Sequence, residues 1–353
     1  MSLLPCERIA LTLDHKEADR VAMHESPWAT TVTRWHTEGL PEDITPKEYF
    51  KLELEFFGAD LTIKYLPAIF EDTDEYETGV NTSGAYYKQW KHMTSTPHYT
   101  SFVVKDRNTW EEHKPKLRDM SGRIDVENGL DFCRKKKEEG QFLVYEGGMG
   151  YDQIQSMVGS EPLLMAMAED PDWVRDMFEA SGEIVINVFE EMLSSGFEFD
   201  AAYLSDDMGY RNASLFSPAM YRELLYPTHK RVFDFFHSKG LKVILHSCGC
   251  IIELVPMLIE GGLDCLEPLE VKAGMDLLEM KKQYGEKLSF IGGLDARKIS
   301  GDPQILEEEV RTKVTFAKQG GGYIFHSDHS IPDNVSFEQY KTFYELGLKY
   351  GRY

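Results

Sequence analysis

The tetrapeptide His246-Ser247-Cys248-Gly249 is the segment of this sequence whose residue types and spacing point most directly to chemistry. It follows the run "KVIL", which is typical of a buried strand. Because side chains alternate along a strand, His246 and Cys248 can face one point. An imidazole and a thiolate are two of the three protein ligands that a catalytic zinc site needs, with its fourth position open. A buried cysteine beside a hydrogen-bonded histidine is the alternative interpretation of the same triplet.

A third ligand must come from the end of another strand. The segment "YIFHSDHSIP" near the C-terminus offers two histidines that flank an aspartate. Two further carboxylates, after other predicted strands, are also within range. Asp207 belongs to the run Ser205-Asp206-Asp207, which could orient a histidine ligand, accept a proton, or only cap a helix. The candidates are therefore His326, Asp328, His329, Glu146 and Asp207.

Other catalytic motifs are missing from the sequence. It contains no GxSxG elbow, no P-loop and no CxxC pair. Gly320-Gly321-Gly322 precede a predicted strand, which indicates a turn rather than a phosphate-binding loop. A nucleophile pair of His246 and Cys248 is less well supported, because neighbouring strand-end positions are better placed to share a metal.

The elements that must position these residues are short apolar runs separated by longer amphipathic ones. Helical spacing is clearest over Pro171–Ser194, Pro218–Lys239 and Pro303–Lys318, the last with Asp302 as N-cap. This alternation predicts a (β/α)8 TIM barrel; a doubly wound sheet is the alternative, but no GxGxxG follows the first run. The eight predicted strands are Val21–Glu25, Asp60–Leu66, Phe142–Glu146, Ala201–Ser205, Val243–His246, Cys265–Pro268, Ser289–Gly292 and Tyr323–His326.

One stretch departs from the alternation. Residues Tyr76–Val104 are rich in Tyr, Thr and Trp and contain turn residues, which predicts a β-hairpin inserted after the second strand. Without repeats or linkers, residues 1–353 are expected to form one domain with this insertion. In a barrel the active site lies at the C-terminal ends of the strands, where the polar residues of nearly every run accumulate.

Composition excludes several classes of function. The 353 residues include 38 Lys plus Arg and 60 Asp plus Glu, a net charge of −22, which disfavours nucleic acid and anionic membrane surfaces as partners. No window of 18 apolar residues predicts a membrane-spanning helix, and the N-terminus does not resemble a signal peptide. Five irregularly spaced cysteines predict reduced thiols and a cytoplasmic location.

The segment from Asp206 to Gly249 ("DDMGYRN…LKVILHSCG") resembles the uroporphyrinogen decarboxylase superfamily. Within it, the closer resemblance is to the cobamide-dependent methyltransferases, which include methylcobamide:coenzyme M methyltransferases. The segments "HKEADRVAMHESPWATTVTRWHTEGLPED", "FIGGLDARKI" and "GGGYIFHSDHSIPDNVSFEQY" share the resemblance, so it covers most of the chain.

The resemblance implies a TIM barrel and a zinc ion held by the HxC pair and a residue after strand 8. Carried over, these ligands are His246, Cys248 and His329, which precedes Ser-Ile-Pro in the family's ligand segment. Many of these methyltransferases have Cys at that place, so the histidine is a departure. His326 is then a substrate contact or supports a ligand, while Glu146 and Asp207 handle protons or orient ligands.

The function that this resemblance implies is zinc-dependent methyl transfer. A substrate thiol activated by zinc would attack the methyl group of a methylated corrinoid on a separate corrinoid protein, leaving cob(I)amide. A tetrahydrofolate-type acceptor, or loading of the corrinoid from an O- or N-methylated substrate, are variants of the same hypothesis.

Two alternatives belong to other classes: a decarboxylase and a non-catalytic tetrapyrrole- or corrinoid-binding protein. The true decarboxylases carry an N-terminal "RQAGRY"-type motif that binds propionates. Here the corresponding region reads "HESPWATTVTRW", in which Arg34 is the one Arg or Lys.

Overall fold

The computed structural model describes residues 3–92 and 94–353. In this part of the chain the strands are β1 (Ala22–Met23), β2 (Leu54–Gly58), β3 (Ala68–Asp72), β4 (Tyr76–Val80), β5 (Ala85–Trp90), β6 (His98–Phe102), β7 (Phe142–Gly148), β8 (Ala201–Ser205), β9 (Lys242–His246), β10 (Cys265–Glu267), β11 (Ser289–Ile291) and β12 (Tyr323–Phe325).

Eight of these strands form one parallel sheet in the order β1-β12-β11-β10-β9-β8-β7-β2. Its two end strands approach each other, because the Glu53 N–H donates to the Met23 carbonyl oxygen at 2.9 Å. The sheet thereby curls into a barrel with helices around it. This confirms the predicted (β/α)8 TIM-barrel fold.

Helices connect the strands. They are α1 (Pro5–Leu13), α2 (Ala29–Glu38), α3 (Pro46–Phe50), α4 (Arg107–His113), α5 (Val126–Glu138), α6 (Gly150–Val158), α7 (Ser160–Glu169), α8 (Pro171–Ser194), α9 (Pro218–Met220), α10 (Tyr226–Ser238), α11 (Val255–Gly261), α12 (Leu277–Tyr284), α13 (Ala296–Ile299), α14 (Pro303–Ala317) and α15 (Phe337–Tyr350). Among the described residues, no helix combines the length and the apolar character needed to cross a membrane.

The barrel interior is apolar over most of its depth. Branched side chains from alternate positions of the strands, including Val144, Ile244 and Ile324, meet on the axis and are fully buried. Helix α1 packs beside β1, β7 and β12 and adds Ile9 and Leu13 to this cluster. Water is therefore excluded from the lower barrel, and polar chemistry is confined to the other end of the strands.

Seven of the eight predicted strands lie where the sequence placed them, but the second prediction was wrong. The strand is β2, whereas residues 60–66 form a loop. Leu61 and Ile63 in this loop are buried, so their apolar character reflects core packing and not a strand. Asp60 accepts a hydrogen bond from the Thr62 N–H at 2.8 Å, which favours a local turn over extended pairing.

The predicted hairpin is a larger element. A four-stranded antiparallel sheet in the order β3-β4-β5-β6 occupies residues 68–102, so the insertion starts before Tyr76. Every residue of β3 is exposed. Without a buried face, β3 lacks the alternation by which a strand is recognised from sequence.

The predicted helices are present, one of them with an irregular turn. Helix α8 matches its predicted bounds, and Asp302 caps α14 by accepting the Gln304 N–H at 2.8 Å. The predicted helix Pro218–Lys239 is divided by one π-helical turn at Tyr221–Leu225, between α9 and α10. Such turns shift the side chains that follow them and occur often at functional sites.

A buried ionic cluster closes the seam between β1 and β2. The Glu53 carboxylate accepts the Met23 N–H at 2.7 Å and the Arg20 guanidinium at 2.8 Å, and it also pairs with Arg8. Glu53 and Arg8 are each 1% exposed. The Glu53 side chain therefore supplies a hydrogen bond between β1 and the segment before β2, where the two-residue strand β1 is too short for a backbone hydrogen-bond ladder.

We predict that Glu53→Gln lowers the free energy of unfolding by about 3–5 kcal/mol, because the buried Arg8 loses the more deeply buried of its two carboxylate partners and keeps the partly exposed Asp19. Urea denaturation followed by circular dichroism measures this. The matched control is Glu198→Gln, at an 81% exposed carboxylate near Lys137, which should cost less than about 1 kcal/mol. Equal effects of the two substitutions would contradict the role of Glu53 in the seam.

Candidate metal centre

His246 is the last residue of β9, and its orientation is fixed by the neighbouring strand. Glu267 ends β10 directly opposite it in the parallel register. The His246 Nδ1–H donates to Glu267 Oε2, and the Tyr203 hydroxyl donates to the same oxygen at 2.6 Å. With Nδ1 engaged, Nε2 is the ring atom that remains for a ligand. A carboxylate behind the ring is the usual arrangement for a metal-binding histidine.

His246 Nε2 faces two other potential ligand atoms. It lies 3.3 Å from Cys248 Sγ and 3.5 Å from Asp207 Oδ1, and the three atoms lie within 4.8 Å of one another. Around a tetrahedral zinc ion with bonds of about 2.0–2.3 Å, neighbouring ligand atoms are roughly 3.3–3.8 Å apart. Imidazole, thiolate and carboxylate are all zinc ligands, so the donor set fits this metal, and the two distances from His246 Nε2 fit its coordination shell.

The loop that carries Cys248 is shaped by two glycines. Gly249 has a φ of +78°, and a Cβ there would lie 2.5 Å from the Gly209 carbonyl carbon. This close approach lets the Cys250 N–H donate to the Tyr210 carbonyl at 2.7 Å. Asp207 Oδ1 accepts the Cys248 N–H, also at 2.7 Å. The chain therefore turns after Cys248, and the backbone of this loop after β9 pairs with the loop after β8.

The electrostatics of the centre favour a charged pair in the absence of metal. Burial lowers the pKa of His246, but Glu267 and Cys248 outweigh it and raise this pKa well above its ordinary value. Burial raises the pKa of Glu267, but His246 outweighs it and brings that pKa to about 2. Burial raises the pKa of the Cys248 thiol, opposed by His246. The raised pKa of His246 means that its ring carries a proton on Nε2 as well as on Nδ1 when no metal is bound. A metal cation at Nε2 would displace that proton.

The residues predicted after strand 8 have different surroundings. The His329 ring lies 6.0 Å from the Trp28 ring, edge-on, and is not part of the three-residue group. Asp328 accepts the Val271 and Ala296 N–H groups, both at 2.9 Å, so its two oxygens already serve the backbone. His326 stacks on His24, with ring centroids 5.1 Å apart. Asp207 is thus the candidate third ligand that lies beside His246 and Cys248 in the structure, and His329 stays the candidate given by the resemblance.

Two carboxylates border the centre. Glu146 lies at the surface of the mouth; the protein that surrounds its carboxyl raises the pKa by desolvation, and the charges of Lys47 and His246 oppose this shift. Asp152, in the first turn of α6, has its pKa raised to about 6 by burial and by the charge of Asp207. Asp152 can therefore exchange a proton with a bound ligand near neutral pH, and the raised pKa of Glu146 favours the same role. Asp152 was not among the residues predicted from the sequence.

A buried hydrogen-bond chain behind the centre was also missed. Asp206 Oδ2 lies 2.8 Å from His229 Nε2, and His229 Nδ1 lies 2.9 Å from the Tyr221 hydroxyl, which the π-helical turn carries. Asp206 also accepts the Asp152 N–H at 2.8 Å and donates its own N–H to the His246 carbonyl at 2.9 Å. His229 is a polar residue on the apolar face of its helix, and this was the available signal.

Comparison with known proteins identifies the family. The sequence profile of the family described as uroporphyrinogen decarboxylase (URO-D) matches residues 148–350, more than half of the chain. The matched region contains the ends of β8, β9, β10 and β12, which supply most of the polar residues described above. The chain therefore belongs to the uroporphyrinogen decarboxylase family.

Two curated relatives are enzymes with different names. A "methylated-thiol–coenzyme M methyltransferase" of Methanosarcina mazei is 23% identical over 206 residues, 58% of this chain and 52% of the relative. A "uroporphyrinogen decarboxylase" of Mannheimia succiniciproducens is 28% identical over 78 residues, 22% of either chain. The matches thus span about half and about a fifth of the relatives' lengths.

A solved structure supports the fold. A methyltransferase from Methanosarcina mazei superimposes with a TM-score of 0.68, covers 99% of both chains and is 14% identical. At this identity the likeness shows that the barrel and its connections are shared. The chemistry must be argued from the centre itself.

We predict that Cys248→Ser abolishes stoichiometric zinc binding, and that Asp207→Asn weakens it more than His329→Ala does. Asparagine can still accept the Cys248 N–H but is a poor zinc ligand, so the loop is preserved while the ligand is lost. Zinc titration against a chromophoric chelator measures the affinities, and circular dichroism checks the fold.

His326→Ala is the control, because it alters a neighbouring histidine outside the three-residue group and should leave zinc bound. If His329→Ala weakens binding while Asp207→Asn does not, the third ligand is the residue selected by the resemblance.

We also predict that Glu267→Gln lowers zinc affinity by about 10–100-fold, because the ring of His246 loses the carboxylate that orients it. Glu270→Gln is the matched control: Glu270 accepts the Gly249 N–H at 2.6 Å, and a glutamine oxygen can do the same. Unchanged affinity in Glu267→Gln would show that Glu267 does not orient the ligand.

Proposed function

We propose that this protein is a zinc-dependent methyltransferase that moves a methyl group between a corrinoid on a partner protein and a thiol or tetrahydrofolate-type acceptor. The observation that carries the proposal is the group of Asp207, His246 and Cys248 at the mouth of the barrel, with Glu267 behind the histidine ring. The names of two Methanosarcina relatives support methyl transfer as the reaction class. A cytoplasmic location, expected from the cysteines, is part of the same proposal.

When bound at this centre, zinc would lower the pKa of a substrate thiol and keep it as a thiolate at neutral pH. Cys248 and His246 serve as ligands, and Asp207 or His329 completes the set. Glu267 keeps the ring in position. Glu146 and Asp152, whose pKa values are raised, accept the proton that the substrate gives up at the mouth.

The location of the centre supports a partner-borne methyl group. His246 has 25% of its side chain exposed and Asp207 has 39%, so the centre opens onto the C-terminal face of the barrel. The loops after β8 and β9 border this opening, and strand β5 of the four-stranded sheet contacts α6 beside it. A corrinoid presented by another protein can approach from this face, whereas the apolar interior closes the other end.

Decarboxylation of a uroporphyrinogen is the second candidate, because the family and one relative carry that name. The propionates of such a substrate need several guanidinium groups facing the mouth. Arg34 pairs with Glu38 at 2.6 Å and donates to the Asp333 carbonyl at 2.6 Å. This arginine therefore has its hydrogen-bonding partners within the protein, which disfavours the decarboxylase.

We predict that purified protein binds about one zinc per chain and transfers the methyl group of methylcob(III)alamin to 2-mercaptoethanol. Formation of cob(I)alamin under anaerobic conditions, followed by its absorbance, measures the rate. Removal of zinc with a chelator should abolish transfer and reloading should restore it. Cys248→Ser should stay inactive after reloading.

Three results would speak against this proposal. Transfer that is independent of zinc would exclude the metal's role. Decarboxylation of uroporphyrinogen would favour the alternative enzyme. Binding of cobalamin without any transfer would favour a non-catalytic corrinoid-binding protein.

A further inference from the structure

The described side chains that line the mouth of the barrel include carboxylates but no lysine or arginine. They are the last inward-facing residues of the strands or of the segments just after them, and in this layer of the described chain none is Lys or Arg. The layer consists of His24, Phe56, Glu146, Tyr203, His246, Glu267 and His326.

Carboxylates dominate the charge around this opening. Glu146 and Glu267 belong to the layer itself, and Asp152 and Asp207 border it from the loops. Lys47 approaches from α3 and is a nearby cation, with its ammonium 5.3 Å from the centroid of the Phe56 ring and its charge acting on Glu146. This ammonium is paired with Glu55 at 2.9 Å, which partly offsets its charge. Zinc would offset the charge of Asp207, and His246 offsets that of Glu267, so the carboxylates left to face a ligand are Glu146 and Asp152. An anionic head group beside them would be repelled at short range in a partly buried site.

A buried histidine in the same layer lacks a hydrogen-bond partner. His24 is 3% exposed, and its Nδ1 atom forms no hydrogen bond in the structure. Its ring lies between Phe56 and His326, at centroid distances of 5.3 and 5.1 Å. Buried polar atoms are nearly always satisfied, so an unpaired nitrogen in the layer that lines the mouth is a candidate partner for a ligand atom.

We propose that the small-molecule substrate of this centre is uncharged or cationic, and that it presents a hydroxyl or amine group to His24. This inference rests on the proposed function, because it concerns the molecule that binds beside His246 and Cys248. The carboxylates exclude sulfonates, carboxylates and phosphates from the mouth. The unpaired imidazole nitrogen selects a head group that can hydrogen-bond.

Three thiols that differ only in their head group test the charge rule. They are 2-mercaptoethanol, cysteamine and 2-mercaptoethanesulfonate, with a hydroxyl, an ammonium and a sulfonate on the same two-carbon chain. The last is coenzyme M, which appears in the name of the Methanosarcina relative. Isothermal titration of the zinc-loaded protein should give dissociation constants at least about tenfold weaker for the sulfonate than for the other two.

A charge reversal at the mouth supplies the matched variants. Glu146→Lys should strengthen binding of the sulfonate relative to cysteamine by at least about tenfold. Glu138→Lys makes the same change of net charge at an exposed site on α5 and should leave the preference unchanged. If Glu146→Lys does not fold, Glu146→Gln should still reduce the discrimination against the sulfonate.

The role of His24 is tested with a fourth thiol. 1-Propanethiol has the shape of 2-mercaptoethanol but lacks the hydroxyl. The wild-type protein should bind 2-mercaptoethanol more tightly, and His24→Phe should abolish this preference. A preference that survives in His24→Phe would overturn the assignment of His24 as the partner of the head group.

The outcomes separate this inference from the proposed function. If all three head groups bind equally, or the sulfonate binds best, the charge rule is wrong while thiol binding at the zinc centre stands. If no thiol binds the zinc-loaded protein, the proposed function is wrong and the substrate rule is rejected with it.

Discussion

The contact between the Glu267 carboxylate and the His246 ring is the interaction on which the geometry of the centre depends. An ionised carboxylate at this depth would cost several kcal/mol if it were unpaired. Glu267 is paired on one oxygen with both His246 and Tyr203, and these come from the two preceding strands of the barrel. Three adjacent strands therefore fix one ring, and that ring sets the direction in which a ligand atom at Nε2 points.

In the rest of the barrel, the residues that stabilise the fold are different from those that form the polar centre. Apolar residues fill the interior below the centre, and α1 packs against that end. The seam at the short strand β1 is closed by Glu53 and its two arginines, on the wall of the barrel. Substitutions at the mouth can thus alter ligands with little effect on the core, which is the general advantage of this fold for catalysis.

The sequence predicts much of the fold because parallel buried strands leave an apolar pattern that needs no knowledge of their neighbours. The prediction fails where a segment is buried without being a strand, or is a strand without being buried. The loop around Leu61 is the first case and the exposed strand β3 is the second. His246 and Cys248 were predicted as partners because they share one strand end. Glu267 lies inside the predicted strand Cys265–Pro268, but its pairing with His246 cannot be predicted from sequence, because it depends on the register between β9 and β10.

The buried hydrogen-bond chain of Tyr221, His229 and Asp206 fixes the segment that carries Asp207, the third residue of the candidate centre. Asp206 is fully buried, and a Cβ at Gly150 would lie 2.1 Å from its Oδ2, so the start of α6 must be glycine for this carboxylate to fit. Asp206 bonds to the backbone of both His246 and Asp152, and the next residue, Asp207, accepts the Cys248 N–H. The ends of β8 and β9 and the start of α6 are thereby joined through one residue. The Asp207 oxygen that faces His246 Nε2 also accepts the N–H of Cys248. Contacts within the protein therefore bring the three candidate ligand atoms together, so the site is preorganised for a metal.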